Sequence, residues 1–585
     1  MAINAPGANN FLLSADRQSA DPEVFCDTPL EDDVDSAYVW SDHNLLAFGQ
    51  LWLPRLAAYR AYTDGITDGG GIRGYWSLLV MKQLMDIISQ LEIEHKTCKA
   101  THSFHPLPYP EDVSQVPYNE EEKRNHRKHD PADKIQGLDA ARRYLPCHYF
   151  DLIGGTSTGA LIAIMLGRLR MTVQDCLHEY ENLGNEIFGN APPFGFRTFR
   201  MLLTKQPKYS SGNVERVFRA VVDKRREAKK AVPHSTSRPR FRSEPNICQT
   251  FITTLFSSPK NGLRASLHLM RTYDRLVAQP SRPEVNGAPV RKKSYASPEF
   301  THGQARQLTN DTGRSIEAAT ELEIWQVARA AIAGAKYFSP LTVQNADNED
   351  ISHEDAAVNV PNPTREGLLE IEHQFGLGAI GTVVSVGTAK ADNIERDGKP
   401  LWLFGTALRV VDNATNPELV HRAVQDRADS ERFPYFRFNP EDQDDRLSTM
   451  FDEWKPSKAR KGLVAGSDTL RSMNHKFQKW YNSDKSIETM FHRCASELVG
   501  RRRKRVLNSA KWERYITGTT YRCGYGECSE NNLMFSLRDQ FEQHCKSKHY
   551  EEPNFNLEEE VKRARREAWR YQTKKDEKRR GRCVD

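Results

Sequence analysis

Gly155-Thr156-Ser157-Thr158-Gly159 lies between two apolar runs of different kinds. His148 to Ile153 ahead of it is short, aromatic and branched, the pattern of a buried strand. Ala160 to Leu166 behind it is apolar and, with its continuation, long enough for a buried helix. The chain is therefore expected to run strand, tight turn, helix, as an α/β fold requires. A G-x-S-x-G turn in that setting lifts the serine hydroxyl out of the sheet at a strained position, a nucleophile elbow. Gly155 and Gly159 omit side chains where strand and helix crowd together, and the helix N-terminus favours a developing anion. Taken alone, the motif also fits a tight turn without chemistry.

A second glycine cluster, Asp68-Gly69-Gly70-Gly71-Ile72-Arg73-Gly74, stands upstream. Consecutive glycines let backbone N–H groups converge on one point, and such donors stabilise the oxyanion of acyl transfer. Gly69, Gly70 and Gly71 are the candidate donors, with Arg73 as a helper and Gly74 completing the candidate oxyanion loop. Gly74 opens a stretch to Leu91 whose apolar residues, from Leu78 to Ile88, fall at helical spacing. Gly69, Gly71 and Gly74 also fit G-x-G-x-x-G, but the acid that a dinucleotide site needs at the end of a second strand is replaced by Glu92 and Glu94, in or just after a helix. No Lys-Ser/Thr pair follows the glycines, which excludes a P-loop.

A serine nucleophile needs a base. Asp68 precedes the glycines where an ordinary α/β-hydrolase would carry His-Gly-Gly-Gly. With the Ile72-Arg73-Gly74 ending and the elbow that follows, the chain resembles the patatin-like phospholipases, more narrowly a fungal-type member with a C-terminal finger. The resemblance implies a Ser-Asp dyad without histidine, and aligns Asp355 with the dyad aspartate and Asn362-Pro363 with the Asn-Pro that follows it. By its residues alone Asp355 is one loop carboxylate among several, Asp347 and Asp350 being neighbours. Ala356-Ala357 stands where the family has glycine. Alanine disfavours a positive-φ turn, so the aspartate loop is expected to differ in shape or the activity to be weakened. Ile324 to Ala330, then Ala335 to Leu341, look like the family's helix and the strand leading to its aspartate. Cys248 to Ile252, Leu269 to Tyr273 and Ala379 to Gly387 read as core strands, and Tyr435 to Asn439 is similar to a segment that follows the core in fungal members.

The resemblance implies a three-layer α/β/α core around a mostly parallel sheet, with fatty-acyl ester hydrolysis of a phospholipid or other acyl lipid as its chemistry and no cofactor for catalysis. The chain is expected to divide into an N-terminal segment (1–59), a catalytic domain (60–390), a mostly helical extension (391–510), a zinc-binding unit (515–550) and a basic tail (551–585). A length of 585 residues is more than one core accommodates. Three polar insertions, 120–133, 224–242 and 278–314, read as surface loops, the basic ones with lipid-facing potential.

The net charge of +5 is mild for this length and does not by itself call for a nucleic-acid partner. Charge is concentrated in Arg501-Arg502-Arg503-Lys504-Arg505 and in Lys562 to Arg582, the latter helix-like; each reads as a lipid-, nucleic-acid- or import-receptor-binding block or as a solvated face. The first residues carry no signal-peptide pattern and no stretch approaches eighteen apolar residues, and ten scattered cysteines suit a reducing compartment. An intracellular protein meeting lipid at a membrane periphery is expected.

Cys523 and Cys528, then His544 and His549, are each separated by four residues, with Phe535 and Phe541 placed as the core pair of a C2H2 finger. Two thiolates and two imidazoles suit tetrahedral zinc. Fifteen residues between Cys528 and His544, from 529 to 543, predict a long hairpin, and Cys545 is a competing ligand. One finger reads about three base pairs, so a structural or protein-binding role is expected before a sequence-specific one.

Overall fold

The computed structural model describes residues 42–48, 73–94, 144–188, 210–227, 239–243, 246–258, 265–276, 308–309, 315–317, 319–334, 337–344, 348–357, 359–389, 417–440, 467–525, 528, 533–551 and 555–566. The strands β1 (His43–Phe48), β2 (Leu152–Thr156), β3 (Gln249–Ser257), β4 (Ser266–Arg271), β5 (Leu341–Gln344), β6 (Asp350–Asp355), β7 (Ile380–Val386) and β8 (Tyr435–Phe438) form one eight-stranded sheet. Its order is β8-β7-β1-β2-β3-β6-β5, with β4 also paired to β3. The five strands from β8 to β3 run parallel, and β4, β6 and β5 are antiparallel additions.

Buried on both faces, the central strands carry apolar residues at consecutive positions, and their period-2 geometry divides these between two cores. Leu45, Leu152, Phe251 and Val383 face one side, where they pack with Leu368 and Ile371 of α6 (Thr364–Phe375) and Val424 and Ala428 of α7 (Pro417–Glu431). Their neighbours Leu46, Ile153, Ile252 and Val384 face the other. There they meet α1 (Gly74–Glu94), α2 (Thr158–Ala163), α3 (Val173–Phe188), α4 (Ser211–Glu227), α5 (Ile324–Ala331), α8 (Ser467–Tyr481) and α9 (Lys485–Val506). The result is the expected α/β/α layering. All described residues fall within one unit, Trp40–Asp585.

Two features differ from the expectation. The strand leading to Asp355 is Asp350–Asp355 itself, hairpinned to Leu341–Gln344, and not Ala335 to Leu341. Residues 391–510 do not stand apart as a helical extension: β8 completes the sheet beside β7, and Phe477, Trp480, Phe491 and Leu498 of α8 and α9 belong to the main core.

The basic block 501–505 lies on α9, and its four arginines pair with acids of the protein itself while Lys504 is exposed. Arg502 donates to Glu92 at 2.9 Å, both side chains buried, and its guanidinium sits 5.3 Å from the Trp512 ring. Arg505 grips Asp151 with both terminal nitrogens, at 3.0 and 2.7 Å. Burial would raise the Asp151 carboxyl, but Arg505 and His43 outweigh it and hold it down at about 2. Arg501 pairs with Asp42. The insertions are also partly structured. Residues 224–227 complete α4, Arg240 and Arg242 pair with Glu321, and Leu308–Thr309 pairs with Ser315–Glu317 in a small separate sheet. Residues 120–133 lie outside the described ones.

α10 (Ser509–Thr517) follows, and then a small unit: β9 (Thr520–Arg522), β10 (Met534–Phe535), α11 (Arg538–Lys548), α12 (Leu557–Ala564) and β11 (Arg565–Arg566). β9 is paired by β10 on one side and β11 on the other, both antiparallel. Residues 557–566, expected as part of a basic tail, thus close the unit; Val561 and Ala564 share its core with Tyr521, Phe541 and Cys545. The segment expected at 1–59 is not separate from the core either, since His43–Phe48 is the central strand β1 between β7 and β2; residues 1–41 and 49–59 and the remainder of the tail lie outside the described residues.

Candidate active site

Topology brings the serine and the aspartate together. β2 pairs with β3 from Gln249 to Thr253 and ends at Thr156, opposite Thr253. β6 runs the other way along β3, from Ser257 to Thr254, and ends at Asp355, opposite Thr254. β4 pairs Phe251 to Phe256 and so takes the other edge of β3, which leaves β2 and β6 on a shared edge. The two strands meet there end to end, their C-termini facing each other at consecutive positions of β3. The hydroxyls of Thr156 and Thr253 bond at 2.7 Å just beneath the junction.

At that junction Ser157 Oγ donates to Asp355 Oδ2 at 2.5 Å, across 198 residues of sequence. Ser157 adopts φ 55° and ψ −125° between β2 and α2. Such a conformation costs a non-glycine residue on the order of 1–3 kcal/mol and persists only where surrounding packing enforces it. The enforcement comes from the two flanking glycines. A Cβ on Gly155 would lie 2.3 Å from the Gly159 carbonyl oxygen, and one on Gly159 would lie 2.7 Å from that of Phe48. Strand, helix and β1 therefore approach at backbone contact.

Asp355 is held from both sides. Its Oδ1 accepts the Ala357 N–H at 2.9 Å. Burial pushes its carboxyl up to about 6, although the bonds from Ser157 and Ala357 pull the other way. The alanines cause no left-handed strain: neither Ala356 nor Ala357 has a positive φ, and both are buried. Their shared turn is closed by the N–H groups of Asn359 and Val360 on the Ala356 carbonyl. Asn362 Oδ1 then accepts the Thr364 N–H at 3.1 Å and its hydroxyl at 2.6 Å, fixing the start of α6. Asp350 lies at the opposite end of β6, and Asp347 is outside the described residues.

Gly69, Gly70 and Gly71, the expected oxyanion donors, also lie outside the described residues. Gly74, at the start of α1, packs beside the elbow. A Cβ on Gly74 would lie 2.2 Å from the Tyr180 hydroxyl and 3.2 Å from Oγ1 of Thr158, the residue after Ser157. Arg73 is fully buried and donates to the Ala389 carbonyl at 3.4 Å on the loop after β7, while Ser77 Oγ holds the Gly387 carbonyl at 2.8 Å. Glu92, the residue a dinucleotide site would need, is on α1 and is taken up by Arg502 and by the Tyr149 hydroxyl at 3.1 Å. Tyr180 and Thr253 were not marked by any sequence motif, since their contacts exist only once helix and strand are docked.

Residues 135–366 match the family model described as patatin-like phospholipase. Over these residues the chain is similar to the patatin-like phospholipases. The matched stretch takes in the elbow, β3 to β6 and Asp355; β1, α1, β7, β8 and everything beyond lie outside it. Phospholipase A I of Arabidopsis thaliana is 25% identical over 340 residues, which is 53% of this chain and 23% of that protein. Calcium-independent phospholipase A2-gamma is 23% identical over 336 residues in Oryctolagus cuniculus and over 349 in Mus musculus, covering 57% and 56% of this chain and 35% and 38% of those proteins. The chain thus spans well under half the length of these curated relatives.

The four candidate metal ligands also come together. Cys523 follows β9, Cys528 lies in the next turn, His544 is on α11 and His549 caps it. Their ligand atoms all lie within 4.8 Å of one another. Cys545, the suspected competitor, instead packs among Tyr521, Phe541 and Val561 in the core of the unit.

Proposed function

We propose that this patatin-like chain is a lipid acyl hydrolase of the phospholipase A or lysophospholipase kind, working through Ser157 and Asp355. Asp355 takes the hydroxyl proton as Ser157 Oγ attacks the ester carbonyl of an acyl lipid. The proton passes to the departing alcohol, and an acyl-serine remains. Water, deprotonated by the same carboxylate, releases the fatty acid. Backbone N–H groups of Gly69 to Gly71, with Arg73 holding the loop's end, are the proposed oxyanion donors. No cofactor enters these steps.

The reading rests on the hydroxyl-to-carboxylate bond of 2.5 Å at a strained elbow. An ordinary aspartate would be a weak base at neutral pH; one raised to about 6 is ionised there yet basic enough to accept a proton in the transition state. The names of the relatives, a phospholipase A and calcium-independent phospholipases A2, point to phospholipid esters met at a membrane surface.

Ser157→Ala should abolish turnover of a fluorogenic acyl ester and labelling by a fluorophosphonate, while Asp355→Asn should lower the rate by several orders of magnitude with the fold intact. Retained turnover in Ser157→Ala would refute the assignment. A lipid-binding protein without catalysis, the alternative suggested by Ala356-Ala357, would show no covalent labelling of the wild type. A nucleic-acid role loses the support of Arg501, Arg502, Arg503 and Arg505, each of which pairs with an acid of the protein itself.

A further inference from the structure

The C-terminal unit has a second constellation, unconnected with ester hydrolysis. Cys523 Sγ lies 3.5 Å from His549 Nε2, Cys528 Sγ lies 3.8 Å from His544 Nε2, and the two Nε2 atoms are 3.2 Å apart. Zinc bonds of about 2.3 Å to sulfur and about 2.05 Å to nitrogen at tetrahedral angles require S···N separations of about 3.6 Å and N···N of about 3.3 Å. The observed spacings match a sphere drawn around one ion. Hydrogen bonding alone would not call for two thiols, from the segment after β9, and two imidazoles, from α11 and its cap, to gather with every ligand atom within 4.8 Å of the others.

Cys523, His544 and His549 are 1%, 5% and 3% exposed, so the site is closed to solvent on three sides. Tyr525 stacks on the His549 ring at 4.0 Å and Phe535 packs on that of His544 at 4.7 Å, which fixes both imidazoles. Four protein ligands complete a tetrahedron and leave no position for water or substrate, the mark of a structural centre.

The surroundings give the site a mechanical role. Tyr521, two residues before Cys523, donates its hydroxyl to Glu513 at 2.6 Å, and Arg565 of β11 pairs with the same carboxylate at 2.7 Å. Glu513 is on α10, and the next turn of α10 reaches the catalytic core. Tyr515 donates to the Phe150 and Cys147 carbonyls at 2.8 and 3.1 Å, and Arg170 donates to the Ile516 carbonyl at 2.5 Å. α10 therefore stands between the four-ligand site and the base of the strand that carries Ser157.

We propose that Cys523, Cys528, His544 and His549 bind one structural zinc ion, which closes the C-terminal unit and seats α10 against the base of β2. Metal binding of this kind supplies folding free energy directly, so removing the ion should open the unit.

The full chain, purified without chelator, should hold about one zinc per molecule by mass spectrometry of the metals. Replacement by cobalt should give tetrahedral d–d bands together with thiolate charge transfer. Cys523→Ser and His549→Gln should lose the metal, and Cys545→Ala should keep it. Because a ligand variant could fail to fold, the wild type carries the decisive arm: chelation should make residues 520–566 sensitive to protease, and added zinc should restore protection. A chain that holds no zinc and takes up neither zinc nor cobalt overturns the proposal. So does a Cys523→Ser protein with undiminished zinc, or equal protease resistance with and without the ion. Fluorophosphonate labelling of Ser157 in the same samples reads the dyad independently, so either reading can fail without the other.

Discussion

Ser157 and Asp355 divide the demands of the site between geometry and charge. The serine is held at φ 55° by two glycines that let backbones touch, and the aspartate is held basic by burial. Asp355 must be ionised to act as base, so kcat/KM should rise with pH through about 6 and level off above it. A steady-state pH profile checks this, and a flat profile between pH 5 and 7 would count against Asp355 as the base. Stability should run the other way. A carboxyl whose folded pKa is raised binds its proton more tightly in the native state. The wild type should therefore lose stability relative to Asp355→Asn as pH rises from about 4 through 6, by denaturant titration at each pH. The serine was legible in the sequence because strand, glycines and helix are contiguous. Asp355 was not legible from its own residues: its strand, Asp-Ile-Ser-His-Glu-Asp, has a single aliphatic residue, and its partner is 198 positions away. Only the resemblance singled it out.

Among the elements, α9 misleads most when read as a string of letters. Its five basic residues suggest a surface block, yet the helical turn sends Arg502 and Arg505 inward to Glu92 and Asp151. Asp151 opens the turn into β2, so this pair anchors β2 at the end opposite Ser157. Arg505→Met would leave Asp151 buried without its cation, and loss of one partner of a buried pair costs about 3–5 kcal/mol. Urea unfolding should show a decrease of that order at pH 7. The wild-type advantage should be full above pH 4 and fade as pH falls through about 2, because Asp151 is depressed and not raised. Charge alone could not reveal the partners, which are separated from Arg502 and Arg505 by 410 and 354 residues.

At the scale of the whole molecule, the boundary drawn at residue 390 cuts through the sheet. A chain truncated there would lose β8, expose the edge of β7 and uncover the face of α1 on which Trp76 meets Phe477 and Trp480. It should accumulate as insoluble protein, measured by fractionation after expression; a soluble and active truncation would show that the later segments are dispensable. Local patterns decided the parts whose cause is local. These are the elbow at Ser157, helix α1, the buried strands β2, β3 and β7, and the spacing of two cysteines and two histidines. Pairing between distant strands decided the rest, namely the abutment of β2 and β6 on one edge of β3, the inward turn of the arginines and the convergence of four metal-ligand atoms. Periodicity and turn chemistry act over a few residues and leave their mark in the sequence. The placement of Asp355 beside Ser157 is a property of the β3 register, and registers between strands a hundred residues apart are set only when the sheet assembles.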